Sequence, residues 1–293
     1  MSKIEWTDKT WNPVVGCSLA SPGCTNCYAM KMASRLERMG VAHYAGLTAP
    51  SKAGAVWTGK IAHAPEHILT APLRWRKPQT IFPNSMGDLF HEDVPDEWID
   101  QSFGVMALCP QHTFMPLTKR SRRMLAYVAR GDDEHGSLIE SIADIGARFM
   151  EDGDNAHDWL LGMPWPLPNV WLGTSVEDRA RKHRIDDLRE TPAAVRFLSF
   201  EPLLEDLGEI DLTGIHWVIV GGESGSGARV FQLQWARSII KQCQAAGVPV
   251  FMKQVGAYAT DGRGQLHFSD RKGGTMDEWP EDLRVREFPK VAA

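Results

Sequence analysis

The stretch VRFLSFEP, residues 195–202, is followed by HWVIVGGES, residues 216–224, and then by VPVFMKQ, residues 248–254. Each is a short continuous apolar run that ends at once in a polar or charged side chain. Runs of this length without alternation suit strands buried on both faces of a parallel sheet. Reading back toward the N-terminus, VWLGTS (170–175), TFMPLT (113–118) and TIFPNS (80–85) have the same form. Thr10 to Val15 is a weaker seventh strand, and Pro13 argues against an interior position for it. Helix-period segments lie between the runs. Asp96 to Leu108 follows Pro95 and opens with two carboxylates, which favour a helix N-terminus. Ser121 to Arg130, Glu177 to Glu190 and Leu233 to Ala246 are the others, the last stopping at Gly247.

Strands alternating with helices give βαβ units and a parallel sheet. Active sites of such folds lie at the C-terminal ends of the strands. Here the ends carry Asn84, Ser85 and Asp88, then Lys119 and Arg120, then Ser175 and Glu177, then Glu201, then Glu223 and Ser224, then Lys253 and Gln254. Six polar tips on one rim describe a barrel mouth better than an open sheet. The expected fold is α/β, a partial or full TIM-like (β/α) barrel of mainly parallel strands. It forms one domain over residues 1–256, with a cysteine loop near its N-terminus. Residues 257–293 are polar and Gly-rich, and read as a C-terminal extension or a lid.

The chain has 293 residues, 43% hydrophobic and 24% charged, with net charge −5. This is ordinary globular composition, which excludes disordered, collagen-like and coiled-coil proteins. No apolar run approaches a membrane span, and the first residues contain no signal-peptide core, so a cytoplasmic protein without a membrane is expected. The overall charge draws the chain to neither nucleic acid nor anionic lipid, but leaves room for a local basic groove. Lys119, Arg120, Arg122 and Arg123 read first as a solvated helix start and second as a phosphate-binding edge. The Gly-rich loop from Gly221 to Gly227 lacks the residues of a P-loop, but suits close backbone approach to a ligand.

Five cysteines without an export signal argue against a disulfide framework. Cys109 and Cys243 sit in apolar helical contexts and read as small buried hydrophobes. Cys17, Cys24 and Cys27 form C-x6-C-x2-C in a Gly, Ser and Pro-rich loop, ahead of a helix expected over Tyr28 to Met39. A helix N-terminus at Cys27 lowers thiol pKa and favours an anionic centre. Three readings stand open. The first is an iron–sulfur cluster with one open iron, the second a zinc site completed by His43 or a distant residue, and the third three unliganded thiols.

Several motifs together resemble the phage Gp37/Gp68-like, or three-Cys-motif, family. They are W6-T-D-x-T-W11-N12-P, G16-C-x6-C-x2-C27-Y-A, N84-S-M-x-D88-L-F-H91, L117-T-K119-R120, V170-W-L-G-T-S-V-E177, R196-F-L-S-F-E201-P-L-L, W217-V-I-V-G-G-E223-S-G and F251-M-K253-Q. They run in order along nearly the whole chain. The cysteine loop also resembles radical S-adenosylmethionine enzymes, and its Cys-x-x-Cys-Tyr-Ala ending resembles the spore photoproduct lyase branch, which acts on DNA. The first spacing is six residues here, where three is common. The Gly-Gly-Glu triplet, which in that superfamily follows the second strand, stands here at Gly221 to Glu223.

The resemblance implies a [4Fe–4S] cluster on Cys17, Cys24 and Cys27. It implies S-adenosyl-L-methionine on the open iron, cleaved on reduction to a 5′-deoxyadenosyl radical. Tyr28, Ser85, Asp88, Ser175 and Glu177 are then the expected cofactor-binding residues, and Glu201, Glu223 and Lys253 the expected catalytic ones. A reductant protein is required as partner, and nucleic acid or a nucleotide-derived substrate is the expected target. His91 reads as a hydrogen-bonded structural residue. Two other functions compete. One is a zinc or iron–sulfur nucleic-acid-binding protein or metal-dependent nuclease, with Asp88, Glu177, Glu201 and Glu223 as oxygen ligands. The other is a non-catalytic phage accessory factor that docks a separate phage or bacterial partner protein.

Overall fold

A computed structural model describes residues 4–132 and 137–290. It is a mixed α/β protein. The first strands are β1 (Lys9–Trp11), β2 (Val14–Val15), β3 (Thr48–Ser51), β4 (Gly54–Trp57), β5 (Ala62–His63), β6 (Thr80–Pro83), β7 (Thr113–Phe114) and β8 (Leu117–Thr118). They are followed by β9 (Trp171–Ser175), β10 (Val195–Phe200), β11 (Trp217–Gly221), β12 (Phe231–Gln232), β13 (Val250–Gln254) and β14 (Ala259–Thr260). The helices are α1 (Tyr28–Arg38), α2 (Glu66–Leu69), α3 (Asp96–Ala107), α4 (Ser121–Val128), α5 (Ser137–Ala147), α6 (Gly153–Leu161), α7 (His183–Glu190) and α8 (Leu233–Ala246).

Five strands form a parallel sheet in the order β13-β11-β10-β9-β8, and three form a second in the order β1-β6-β7. Antiparallel pairs β3–β4 and β2–β5 and a parallel pair β12–β14 stand apart. Of the partial or full (β/α) barrel expected from the sequence, the described residues show the mixed α/β class and mainly parallel strands, and a full barrel is not shown. The weak strand near the N-terminus is real at β1, which pairs parallel with β6 and lies at its sheet's edge. Pro13 ends it, having no N–H for a ladder. The expected run 113–118 breaks into β7 and β8 around Met115 and Pro116. The helix expected from Glu177 begins only at His183, after a 3-10 turn at Arg179–Arg181.

The chain divides into two compact units. One comprises residues 1–20, 27–172 and 190–194, and the other residues 21–26, 173–189 and 195–293. In the first, α1 buries Ala29, Met30 and Ala33 against Val15, Tyr44, Leu47, Trp57 and Met86. Cys17 and Cys27 pack on the same cluster. In the second, every residue of β11 is buried, and β10 is buried at all but Arg196, as strands covered on both faces require. The helix α8 lies against β11 and β13 and stops at Gly247, whose φ of 68° is the left-handed cap that glycine favours. The described part of the segment after residue 256 belongs to this second unit. Its residues Val285 to Glu287 run along the edge of β13, with Met252 N–H donating to Val285 at 2.9 Å and Glu287 N–H to Val250 at 3.0 Å. Among the described residues no helix is long and apolar enough to cross a membrane.

Candidate functional site

In the first unit the chain enters the cysteine loop through Gly16. Its φ is 94°, and a Cβ there would lie 2.2 Å from the Lys60 carbonyl oxygen, so only glycine fits. Cys17 follows. Its Sγ lies 3.4 Å from Arg120 Nη1, which donates to it. Arg120 is 7% exposed. Its Nη1 also reaches Asp88 at 3.2 Å, and its Nη2 donates to the Ser18 carbonyl at 3.1 Å and the Ser18 hydroxyl at 2.8 Å. Burial weakens the guanidinium's hold on its proton, but Asp88, Cys17 and Glu92 outweigh it and raise its pKa above the ordinary value. A permanently charged donor beside Sγ favours the thiolate.

Asp88 is the anchor of this arrangement. It accepts from the Thr118 hydroxyl at 2.6 Å, from Lys119 N–H at 3.1 Å and from Phe90 N–H at 3.1 Å, besides Arg120. The Ser18 hydroxyl lies 2.7 Å from His91 Nε2, so His91 is hydrogen-bonded structure, as the sequence suggests. Cys27 is the N-cap of α1 and Tyr28 its first residue. The Tyr28 hydroxyl donates to the Ser85 carbonyl at 2.8 Å, while the Ser85 hydroxyl donates to Asn12 Oδ1 at 3.1 Å.

In the second unit Cys24 is buried at the end of a 3-10 turn, Pro22–Cys24. Glu223 holds this turn. It accepts from Asn26 Nδ2 at 2.9 Å and from Arg229 through its backbone N–H at 2.9 Å, Nε at 3.1 Å and Nη2 at 2.6 Å. Arg229 Nη1 then donates to the Pro22 carbonyl at 2.8 Å. Burial would raise the Glu223 pKa, but the bonds from Arg229 and Asn26 prevail and lower it. Glu177 is fully buried beneath the same turn, where a Cβ on Gly23 would sit 3.0 Å from its carboxyl carbon. Arg184 Nη1 pairs with its Oε2 at 3.0 Å and donates to the Ser175 carbonyl at 2.8 Å. Glu201 and Lys253 leave the ends of β10 and β13, which flank β11, and meet at 2.7 Å.

Among the described residues no three His, Cys, Asp or Glu side chains are gathered as a metal-holding group. None of the five cysteines is in a disulfide among the described residues. Cys109 and Cys243 are buried, and desolvation pushes each thiol up to about 12, which suits the inert role expected of them. The donor chemistry of the loop fits a thiophilic centre: three soft sulfurs, one beside a buried guanidinium and one at the N-terminus of an eleven-residue helix. Tyr28 and Ser85 are brought together, as are Ser175 and Glu177 through Arg184, and Glu201 and Lys253. Asp88, Glu177 and Glu223 each hold an arginine. The arginines Arg184 and Arg229 are what sequence reasoning passed over, while Arg120, read first as part of a solvated helix start, is instead buried against Asp88, Ser18 and Cys17. Arg120 had a signal, since it follows directly on a strand end, where a buried cation has work to do.

Fold and site together define a mixed α/β protein whose loops at parallel-strand ends are anchored by carboxylate–arginine pairs. The chain belongs to the family described as Protein of unknown function (DUF5131), which it matches over residues 1–283. Nothing among curated proteins or solved structures matches it.

Proposed function

We propose that this chain is an iron–sulfur enzyme of the radical S-adenosylmethionine type, acting on nucleic acid or a nucleotide-derived substrate. The observation that carries the reading is the contact between Arg120 and Cys17 at 3.4 Å, which gives the cysteine motif a built-in charge partner. The C-x6-C-x2-C loop and the resemblance to phage Gp37/Gp68-like proteins support it, and the reading includes the partial (β/α) barrel of that enzyme class. A [4Fe–4S] cluster bound here would supply the electron for reductive cleavage of S-adenosylmethionine chelated at its open iron. Cys17, Cys24 and Cys27 would hold it. Arg120 stabilises thiolate at Cys17, Glu223 and Arg229 fix the turn that bears Cys24, and Tyr28 is pinned beside Cys27. The pair Glu201–Lys253 can hold or pass a proton at the end of the sheet. A protein reductant is part of the reading, and so is a cytoplasmic setting.

Anaerobic purification with iron and sulfide analysis, an absorption spectrum and EPR after dithionite reduction tests it. About four irons per chain, absorption near roughly 400 nm and an EPR signal altered by S-adenosylmethionine are expected. A Cys17→Ala/Cys24→Ala/Cys27→Ala variant should lose all three. A colourless zinc protein, or one that takes up no metal on reconstitution, overturns the proposal.

A further inference from the structure

The chain carries a net charge of −5, yet its charge is unevenly placed. Between residues 9 and 65 there are six Lys and Arg and one carboxylate, Glu37. Glu37 is occupied, accepting from Gly46 N–H at 2.7 Å. Lys9 lies over the Trp75 ring. The remaining cations are Lys31, Arg35 and Arg38 on α1, with Lys52 and Lys60 on and after the β3–β4 hairpin, and all five are exposed. None of the five is in an ion pair among the described residues. Elsewhere Arg120, Arg123, Arg130, Arg181, Arg184, Arg189, Arg229 and Arg237 all are.

The cations on α1 share one face. Ala29, Met30 and Ala33 point into the core, so Tyr28, Lys31, Met32, Arg35, Arg38 and Met39 form the opposite, solvent side. At 1.5 Å per residue, Lys31 and Arg38 lie about 10 Å apart along the axis. The hairpin β3–β4 and the turn Ala42–Tyr44 pack beside α1 and carry no carboxylate. At the head of the stripe the Tyr28 ring is 53% exposed, while its hydroxyl is held by Ser85.

We infer that this face of α1 binds a single-stranded segment of nucleic acid. Unpaired cations in a row follow a phosphate backbone, and a fixed, exposed aromatic ring offers a stacking surface to an unpaired base. An anionic membrane would match the charge but gives no use to a ring tethered through its hydroxyl. That the bound strand ends at the cysteine loop, because Cys27 is the N-cap of α1, rests on the function proposed above. The binding itself does not.

The test is fluorescence anisotropy with a labelled 20-nucleotide single strand, the same sequence as duplex, and phosphatidylserine vesicles as a third arm. The single strand should bind best, with log Kd linear in log salt. Lys31→Ala/Arg35→Ala/Arg38→Ala should weaken it at least tenfold at about 50 mM salt and reduce the slope by about 2, from ~0.7 per lost phosphate contact. Tyr28→Ala should weaken binding several-fold with the slope unchanged. Lys241→Ala/Arg263→Ala/Arg271→Ala removes equal charge elsewhere and should leave affinity intact. The metal-free triple-cysteine variant should bind like the natural chain, which separates this surface from the fate of the iron–sulfur reading. No binding, equal or tighter binding of the duplex, binding to vesicles alone, or an equal loss in the charge-matched variant would each overturn the inference.

Discussion

Glu223 and Arg229 meet in a two-pronged ion pair, with Nη2 to Oε1 at 2.6 Å and Nε to Oε2 at 3.1 Å. The same arginine reaches the Pro22 carbonyl, and the same carboxylate takes the Asn26 amide. The glutamate after β11 therefore acts on the cysteine turn, and Glu223→Gln should loosen that turn. Charge-assisted bonds of this kind contribute roughly 1.5–3 kcal/mol, less where the arginine is partly exposed as here. Hydrogen exchange should quicken at Cys24 and Thr25, whose amides close the turn, and leave β11 unchanged.

Arg120→Met leaves the Asp88 carboxylate buried without its cation. A loss of about 3–5 kcal/mol in urea unfolding is expected. On metal-free protein Arg120→Lys should also slow alkylation of Cys17 by iodoacetamide, because a single ammonium cannot reach Asp88, Ser18 and Cys17 together. Unchanged alkylation would remove the charge argument for Cys17.

Glu201 and Lys253 are each mostly buried, so removing one strands the other. Lys253→Met should cost about 1–3 kcal/mol and Glu201→Gln a similar amount. The double variant should recover part of it, giving a coupling of about 1–2 kcal/mol in a double-mutant cycle. Additive losses would mean the pair contributes nothing as a pair.

How far all this could be read in advance depended on distance along the chain. The run VRFLSF became β10 residue for residue, because four apolar side chains in six residues, closed by Glu201 and Pro202, make a segment too short for a helix period. The hairpin β3–β4 escaped, since Thr-Ala-Pro-Ser and Gly-Ala-Val-Trp carry little apolar alternation. So did α5 and α6, which lie where no strand signal marked a boundary. The strand-end carboxylates were visible, but their partners were not. Asn26 lies 197 residues from Glu223, and Arg120 lies 103 from Cys17. No local pattern encodes such pairings.

His112 is 1% exposed, and burial lowers its pKa below the ordinary 6.5. His63 is lowered for the same reason. As pH falls through about 6.5 the unfolded chain takes up protons that the folded chain refuses. Stability is therefore full above that pH and declines toward pH 5. The melting temperature should be roughly 2–6 °C lower at pH 5.5 than at pH 7.5, and His112→Asn should show a smaller drop. Glu223 adds to the loss only at more acid pH, below the usual 4.5.

Gly16→Ala should fail most severely. The left-handed backbone and the Lys60 carbonyl both oppose a Cβ, at a cost of at least about 3 kcal/mol, and the entry to Cys17 shifts with it. Gly208→Ala also meets a left-handed φ of 66° but open space, and should cost only about 1 kcal/mol. Thermal denaturation of the two variants side by side separates strain from collision.

The strand β13 stands at the end of its sheet, and Val285 to Glu287 cover it. Trp217 donates its indole N–H to Glu287 at 2.8 Å and stacks on Phe288. The family match stops at residue 283, just short of this cover. A chain trimmed to the family's limit would bare a row of unpaired amides and carbonyls beside apolar rings. Such an edge recruits further copies of itself, so the trimmed protein should self-associate at concentrations where the intact chain stays dispersed. Residues 285–288 thus act as a guard on colloidal behaviour, a duty that selects for length and backbone path more than for side-chain identity.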